Sequence, residues 1–261
     1  MIALYIALLL YAAGTMAALL ALFAREKRTR TVGLALMIGG WISHTVWIGT
    51  ICVRTHHPPL TNLPETASFV GWTVLAAAFV LLARYRVDAA SFFVYPLALM
   101  LLVLSAVVHE PFARMNPALR SNLFVAHVLL STVGVAALMV GLAFAVLFWM
   151  QDRSLRSKQR GRLWEWIPSL AVCRTLSYRM LAVGFSIYTI GIVTGILWSY
   201  RTTSELIDFQ IKEVGAVVAW VLFGVLLQSF ISGSFRGRKA MVVSACAFVA
   251  TIVAILGIHH A

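Results

Sequence analysis

The sequence predicts an all-α membrane protein, a polytopic helical bundle of about eight transmembrane helices with both termini outside. Hydrophobic residues make up 61% of the 261-residue chain and charged residues 11%, whereas soluble globular domains carry about 45–50% and about 25% respectively. Apolar runs long enough to cross a bilayer, which takes about 20 residues, recur along the whole chain. We therefore expect a single transmembrane domain over residues 1–261.

The predicted spans are eight apolar runs bounded by charged residues or proline. Inside hydrocarbon only a helix or a closed barrel satisfies its own backbone, and these runs are too long for barrel strands. The basic cluster follows the first run instead of preceding it, so we expect a retained helix and not a cleaved signal peptide. In chain order the runs are 2–23, 31–53, 67–83, 88–108, 121–150, 177–200, 212–231 and 239–258.

The loops between these spans alternate in charge, and the alternation predicts their sides. Most of the 21 lysines and arginines fall in the first, third, fifth and seventh loops. The positive-inside rule places those loops in the cytoplasm and both termini outside. The formal net charge of +12 then indicates contact with anionic lipid headgroups and not with nucleic acid. The even-numbered loops carry only Arg54, Arg114, Arg120, Arg201 and Lys212.

Two local patterns predict structure within the bundle. Asn62 followed by Glu65 is typical of a helix N-cap with a capping-box partner, and Pro64 is tolerated in a first turn, so helix three should begin sharply there. Gly184, Gly191 and Gly195 form a small-residue stripe on helix six. Such a stripe lets helices approach closely, and we expect packing within the chain in preference to a dimer interface.

All seven histidines fall in the outer half of the predicted topology. Ionisable groups inside a span are costly and usually functional, which makes His44 in helix two and His127 in helix five the candidates. The alternative for each is a neutral imidazole bonded to a carbonyl or to a neighbouring helix. Solvation is the default for the loop histidines. The full set is His44, His56, His57, His109, His127, His259 and His260.

Haem is one ligand that this pattern could accommodate, and composition alone carries the argument no further. Zinc sites need three or four clustered ligands, and the three cysteines form no CxxC or CxxCH motif. Haem needs one or two imidazoles, a flat apolar slot and cations for its propionates. The arginines of the outer loops could supply the cations, although outer aromatics are also common in membrane interfaces. Those aromatics are Trp41, Trp47, Trp72, Tyr95, Trp198, Tyr200 and Phe209.

Several strings resemble the cytochrome c assembly (CcsA/HemX-like) family, in order, from about residue 40 to the end. The second loop, HHPPLTNLPETASFVGW at 56–72, is similar to that family's P-x-x-N-L-x-E…F-x-x-W stretch. NLFVAHVLLSTVG at 122–134 resembles the opening of the family's long helix. The remaining strings are VLFWMQDRSLRSK (146–158), PSLAVCRTLSYRMLAVGFSIYTIGIVTGILWS (168–199), KEVGAVVAWVLFGVLLQSF (212–230), FRGRKA (235–240) and GIHH (257–260).

The resemblance implies a haem-handling protein of the cytoplasmic membrane that delivers or transports haem for cytochrome c biogenesis. In that family an external tryptophan-rich loop presents haem to two external histidines, which match His127 and His259 here. We expect these two as axial ligands of a non-covalently bound haem b, with His44 as the candidate ligand within the bilayer. The implied protein partner is a cytochrome c assembly or haem-synthesis protein.

The chain departs from the family pattern in two places. Where cytochrome assembly members carry W-x-W-D-P-K-E-T-W, residues 207–215 read IDFQIKEVG, and only Lys212 and Glu213 match. The family's membrane-embedded histidine, in a Y-L-H string, is replaced by Gln228. Losing the tryptophans removes stacking surface for haem, and glutamine is a poor iron ligand. These departures favour the HemX-like branch, which is associated with haem biosynthesis.

Three functional hypotheses follow. The first is haem binding or handling, without enzymatic activity, because no nucleophile, carboxylate pair or phosphate loop is evident. The second is a HemX-like regulator of glutamyl-tRNA reductase levels that acts by protein contacts. Its contact surface could be the basic segment 151–176 with Trp164 and Trp166, although attachment to the lipid surface is the favoured explanation of that segment. A small-solute transporter has support only from the chain's hydrophobicity.

Overall fold

The part of the chain described by the computed structural model is helical throughout. It comprises residues 2–24, 27–55, 58–60, 62–85, 90–108, 121–157, 168–203, 211–233 and 238–256, and these ranges contain no strand. The predicted all-α fold with eight helices is confirmed. The helices are α1 (Ile2–Ala24), α2 (Lys27–Thr55), α3 (Leu63–Tyr85), α4 (Ser91–Val107), α5 (Asn122–Ser157), α6 (Leu170–Thr203), α7 (Ile211–Ser232) and α8 (Arg238–Leu256).

Six of these helices, α1, α2, α3, α5, α6 and α7, are long and apolar enough to cross a membrane. In α4 and α8 the apolar segments are shorter, at Ser91–Val107 and Val242–Ile255. Because backbone groups in the interior of a helix are hydrogen-bonded to one another, helical segments of this kind can lie in hydrocarbon. The protein is a multi-pass membrane protein.

α5 and α6 extend furthest beyond their predicted spans. The prediction ended helix five at 150 and began helix six at 177, but α5 continues to Ser157 and α6 already begins at Leu170. In α5 the extension carries an i,i+4 ion pair in which Nε of Arg156 lies 2.9 Å from the Asp152 carboxylate. In α6 the Ser169 hydroxyl accepts a bond from the backbone N–H of Val172. Apolarity located the bilayer-crossing part of each helix but not its polar end.

The predicted start of helix three is confirmed. The side-chain oxygen of Asn62 accepts a hydrogen bond from the backbone N–H of Glu65 at 3.0 Å. This bond satisfies one of the four N–H groups that a helix start leaves open. Pro64 falls in the first turn, where its missing N–H costs nothing. The cap thus fixes where α3 begins after the second loop.

The helices pack into two compact units. In the first, α1 lies along α2, α3 lies along α4, and α4 also contacts α1. In the second, α5 lies along α6, α7 lies along α8, and weaker contacts join α6 to α7 and α5 to α8. A single domain over residues 1–261 stays a prediction.

Candidate functional site

The interface between α5 and α6 is built on glycine. A Cβ added to Gly134 of α5 would lie 2.7 Å from the backbone nitrogen of Tyr188 on α6. One added to Gly184 of α6 would lie 2.8 Å from the backbone nitrogen of Leu138 on α5. Since real Cβ contacts are longer, only glycine permits this approach of the two backbones. The stripe is therefore a packing face within the chain, as the sequence predicted.

His127 lies in the second turn of α5 and is half-buried, at the N-terminal end of that helix's interface with α6. Its Nδ1 atom lies 2.6 Å from the backbone carbonyl oxygen of Gly191 on α6. A carbonyl only accepts hydrogen bonds, so Nδ1 carries the proton and donates it. In the neutral ring Nε2 then holds the lone pair, which is the state that a metal-binding imidazole requires.

Aromatic side chains lie next to His127 along both helices. Phe124, one turn earlier on α5, packs against Trp198 of α6 with ring centroids 5.1 Å apart and planes tilted by 50°. Phe124 is buried, and Trp198 is half-buried. Arg201, one turn beyond Trp198, is exposed. This end of the second unit thus presents one imidazole, two aromatic rings and one cation.

His44 has a different environment, in the first unit. It is fully buried, with Nε2 2.7 Å from the Ser68 hydroxyl oxygen and Nδ1 3.1 Å from the Tyr11 hydroxyl oxygen. The Tyr11 and His44 rings meet edge to face, with centroids 5.8 Å apart. Both ring nitrogens are therefore occupied by hydroxyl groups from α1 and α3. Binding of iron at His44 would require the loss of one of these hydrogen bonds.

Two of the predicted aromatic residues stack on each other in the unit that contains His44. Trp41 of α2 and Trp72 of α3 stack with centroids 5.0 Å apart and planes 15° from parallel. The Trp41 indole N–H donates to the Trp72 backbone carbonyl at 3.1 Å, and the Trp72 indole N–H donates to the Thr45 hydroxyl at 2.8 Å. This pair joins α2 to α3 and lies one turn from His44 along α2.

Gln228, at the position where the resemblance predicts the loss of a histidine, lines a shallow groove on α6 and α7. The groove has a volume of about 400 Å³ and an apolar lining that includes Phe185, Trp220 and Gly224. Phe185 and Trp220 stack with centroids 5.5 Å apart. Within the described ranges no cluster of three or more His, Cys, Asp or Glu residues could hold a metal ion.

Several predicted residues lie outside the described part of the chain. His259, the second expected axial ligand, is among them, as are four loop or terminal histidines and the first part of the IDFQIKEVG segment. Trp164 and Trp166 of the basic segment are also outside it. The four other histidines are His56, His57, His109 and His260.

Three partners of the candidate histidines were missed from the sequence. Tyr11 and Ser68 lie 33 and 24 positions from His44 and meet it only through helix packing. Gly191 contributes a backbone carbonyl, and a backbone group has no signature in the sequence. The glycine stripe was the available signal, because a close helix approach is what brings that carbonyl to His127.

Comparison with known families agrees with the predicted resemblance. The family model described as Cytochrome C assembly protein matches residues 60–260. The chain belongs to the cytochrome c assembly protein family. The match includes α3 to α8, and so it covers the His127 site in full.

Similar members of the cytochrome c assembly family are named "Cytochrome c biogenesis protein CcsA". The protein from Guillardia theta is 25% identical, with 91% of this chain and 85% of the relative covered. The one from Gloeobacter violaceus is 25% identical, with coverages of 92% and 87%. The one from Mesostigma viride is 26% identical, with coverages of 78% and 75%. These relatives do not support the preference for the HemX-like branch.

Proposed function

We propose that this protein is a haem-handling component of cytochrome c biogenesis in the cytoplasmic (inner) membrane. It binds haem b non-covalently as cargo, for delivery or transport, and has no catalytic chemistry of its own. Membership of the cytochrome c assembly family and relatives named for cytochrome c biogenesis support this function. The structural observation that carries it is the hydrogen bond from Nδ1 of His127 to the Gly191 carbonyl.

That bond has the form found around metal-binding histidines. A ligating imidazole almost always donates its second N–H to a carbonyl, carboxylate or water, which orients the ring and makes it a better donor to the metal. Nε2 of His127 is therefore the proposed axial ligand. Phe124 and Trp198 offer the apolar aromatic surface that a porphyrin plane requires. The exposed Arg201, one turn beyond Trp198, is the proposed partner of a propionate.

Two further histidines complete the proposal. His259 is the proposed second axial ligand, on the strength of the family pattern that places a histidine near the C-terminus. His44 is the proposed ligand within the bilayer, and it ranks after His127 because Ser68 and Tyr11 already engage both of its nitrogens. The proposed protein partner is another component of cytochrome c assembly or of haem synthesis.

The test is a set of absorption spectra of purified histidine variants. His127→Ala and His259→Ala should each convert a six-coordinate haem to five-coordinate haem or empty the site. His57→Ala is the matched control, because a loop histidine beside two prolines should be solvated. Unchanged spectra for both His127→Ala and His259→Ala would exclude the proposed ligands. A spectrum lost only in His44→Ala would move the haem into the bilayer.

A further inference from the structure

We propose that Gly195 is a positioning residue for His127, and that it acts together with the Gly191 carbonyl to present Nε2 to the ligand. The inference rests on the proposed function for its ligand, but its geometry is independent of haem. A Cβ at Gly195 would lie 2.5 Å from both Cε1 and Nδ1 of His127 and 3.3 Å from Cγ. The imidazole therefore occupies the space that any side chain at position 195 would need.

Gly195 differs in this respect from the other glycines of the interface. A Cβ at Gly184 or Gly134 would meet backbone atoms of the facing helix, and one at Gly191 would meet Ser131 first. At Gly195 the three nearest atoms all belong to the His127 ring. The other glycines set the spacing of α5 and α6, whereas Gly195 makes room for one functional side chain.

The Gly191 carbonyl supplies the second constraint on the ring. It accepts from Nδ1 of His127 at 2.6 Å, whereas the Ser131 hydroxyl lies 3.5 Å from the same nitrogen. The shorter bond fixes the ring's tautomer and its rotation about the Cβ–Cγ bond. The ring is thus held between the Gly191 carbonyl and the space that Gly195 leaves on α6, with Nε2 as its lone-pair nitrogen.

A methyl group at position 195 should displace the ring and break this arrangement. Nδ1 would leave the Gly191 carbonyl, and Nε2 would lose its fixed direction. A metal-binding histidine donates a hydrogen bond from its second ring nitrogen, and loss of the acceptor of that bond typically weakens metal binding about 10–100-fold. We expect a loss of this size in haem affinity for Gly195→Ala, although every haem-contacting side chain is retained.

The first test uses haem-free, full-length protein and a double-mutant cycle read by thermal unfolding. Gly195→Ala should lower the Tm when His127 is present and should be tolerated in the His127→Ala background, since alanine is the better helix former. Gly184→Ala is the matched control and should lower the Tm equally in both backgrounds. Equal effects of Gly195→Ala with and without His127 would overturn the proposal.

The second test reads the tautomer of His127 directly. In protein labelled with ¹⁵N-histidine, wild-type Nδ1 should show the shift of a protonated nitrogen and Nε2 that of an unprotonated one. Gly195→Ala should mix the two tautomers, and Gly184→Ala should retain the wild-type pattern. A proton on Nε2 in the wild-type protein would contradict the proposed arrangement.

Haem titration of the same variants then connects positioning to function. Gly195→Ala should bind haem about 10–100-fold more weakly than Gly184→Ala. Equal haem affinities in the two variants would show that Gly195 does not contribute to haem binding. If the wild-type protein binds no haem at all, the proposed function fails, while the double-mutant cycle and the tautomer still decide whether Gly195 positions His127.

Discussion

Replacement of Ser68 by alanine tests the buried hydrogen-bond network that joins the first three helices. Ser68 and His44 are both fully buried, and the hydroxyl oxygen lies 2.7 Å from Nε2. Alanine removes the hydroxyl and leaves this nitrogen without that partner in a position closed to water. The other hydrogen bond of the ring, to Tyr11 at 3.1 Å, remains.

The size of the effect follows from two opposing contributions. In soluble proteins a buried polar group left without its hydrogen bond lowers the free energy of unfolding by about 1–3 kcal/mol. Hydrogen bonds between membrane helices contribute about 0.6 kcal/mol on average and about 1.7 kcal/mol at most. The complete burial of His44 favours the upper part of the membrane range. Alanine has a higher helix propensity than serine, which offsets this loss of stability by up to about 0.7 kcal/mol. We therefore expect a net loss of about 1 kcal/mol.

Thermal unfolding in detergent is the assay, and about 1 kcal/mol corresponds to a Tm lower by about 2–4 °C for a chain near this size. Ser186→Ala is the matched control, because its exposed hydroxyl donates to the Ala182 carbonyl of its own helix. In a His44→Leu background the cost of Ser68→Ala should largely disappear, since no imidazole remains to be left without a partner. If Ser68→Ala is no more destabilising than Ser186→Ala, the network does not stabilise the fold as argued.

Three further predictions address topology, helix capping and the divergent loop. Reporter fusions at Arg160 and at the C-terminus should report opposite sides of the membrane, because basic residues concentrate in alternate loops; the same side for both would overturn the orientation. Asn62→Ala should cost about 0.5–2 kcal/mol in unfolding experiments and Asn62→Asp much less, because only alanine abolishes the cap of α3; equal losses would remove the cap from the account. Phe209→Ala should leave haem occupancy nearly unchanged in spectra, because the loop has lost its stacking tryptophans; a large loss would show that the loop still forms the haem platform.

The helices could be predicted because a backbone in hydrocarbon must be helical or part of a closed barrel, and these apolar runs are too long for barrel strands. The start of α3 could be predicted because Asn62 acts within its own turn. The C-terminal end of α5 could not be predicted in this way. Asp152 and Arg156 lie beyond the apolar run and support the helix through a local ion pair. A hydropathy pattern marks the apolar part of a helix and does not report ion pairs between polar residues beyond it.

In the candidate site, the histidines themselves could be predicted but their hydrogen-bond partners could not. His127 and His44 could be recognised because an ionisable side chain within a transmembrane helix is energetically costly and usually has a function. What each imidazole contacts depends on the register between helices, which the sequence of either helix alone does not contain. The Gly191 carbonyl and the Ser68 hydroxyl reach their histidines only through that packing. The glycine stripe on α6 predicted a close helix approach within the chain, but neither that α5 is the partner nor which side chain occupies the space at Gly195.

The central claim, that the protein binds haem through His127, is tested most directly by one absorption spectrum. Protein purified from haem-sufficient cells should show non-covalent haem b with the sharp reduced bands of low-spin, bis-imidazole iron. Titration with haem should bring incompletely loaded protein to the same spectrum. Wild-type protein that shows no haem bands, even after titration, would contradict the account.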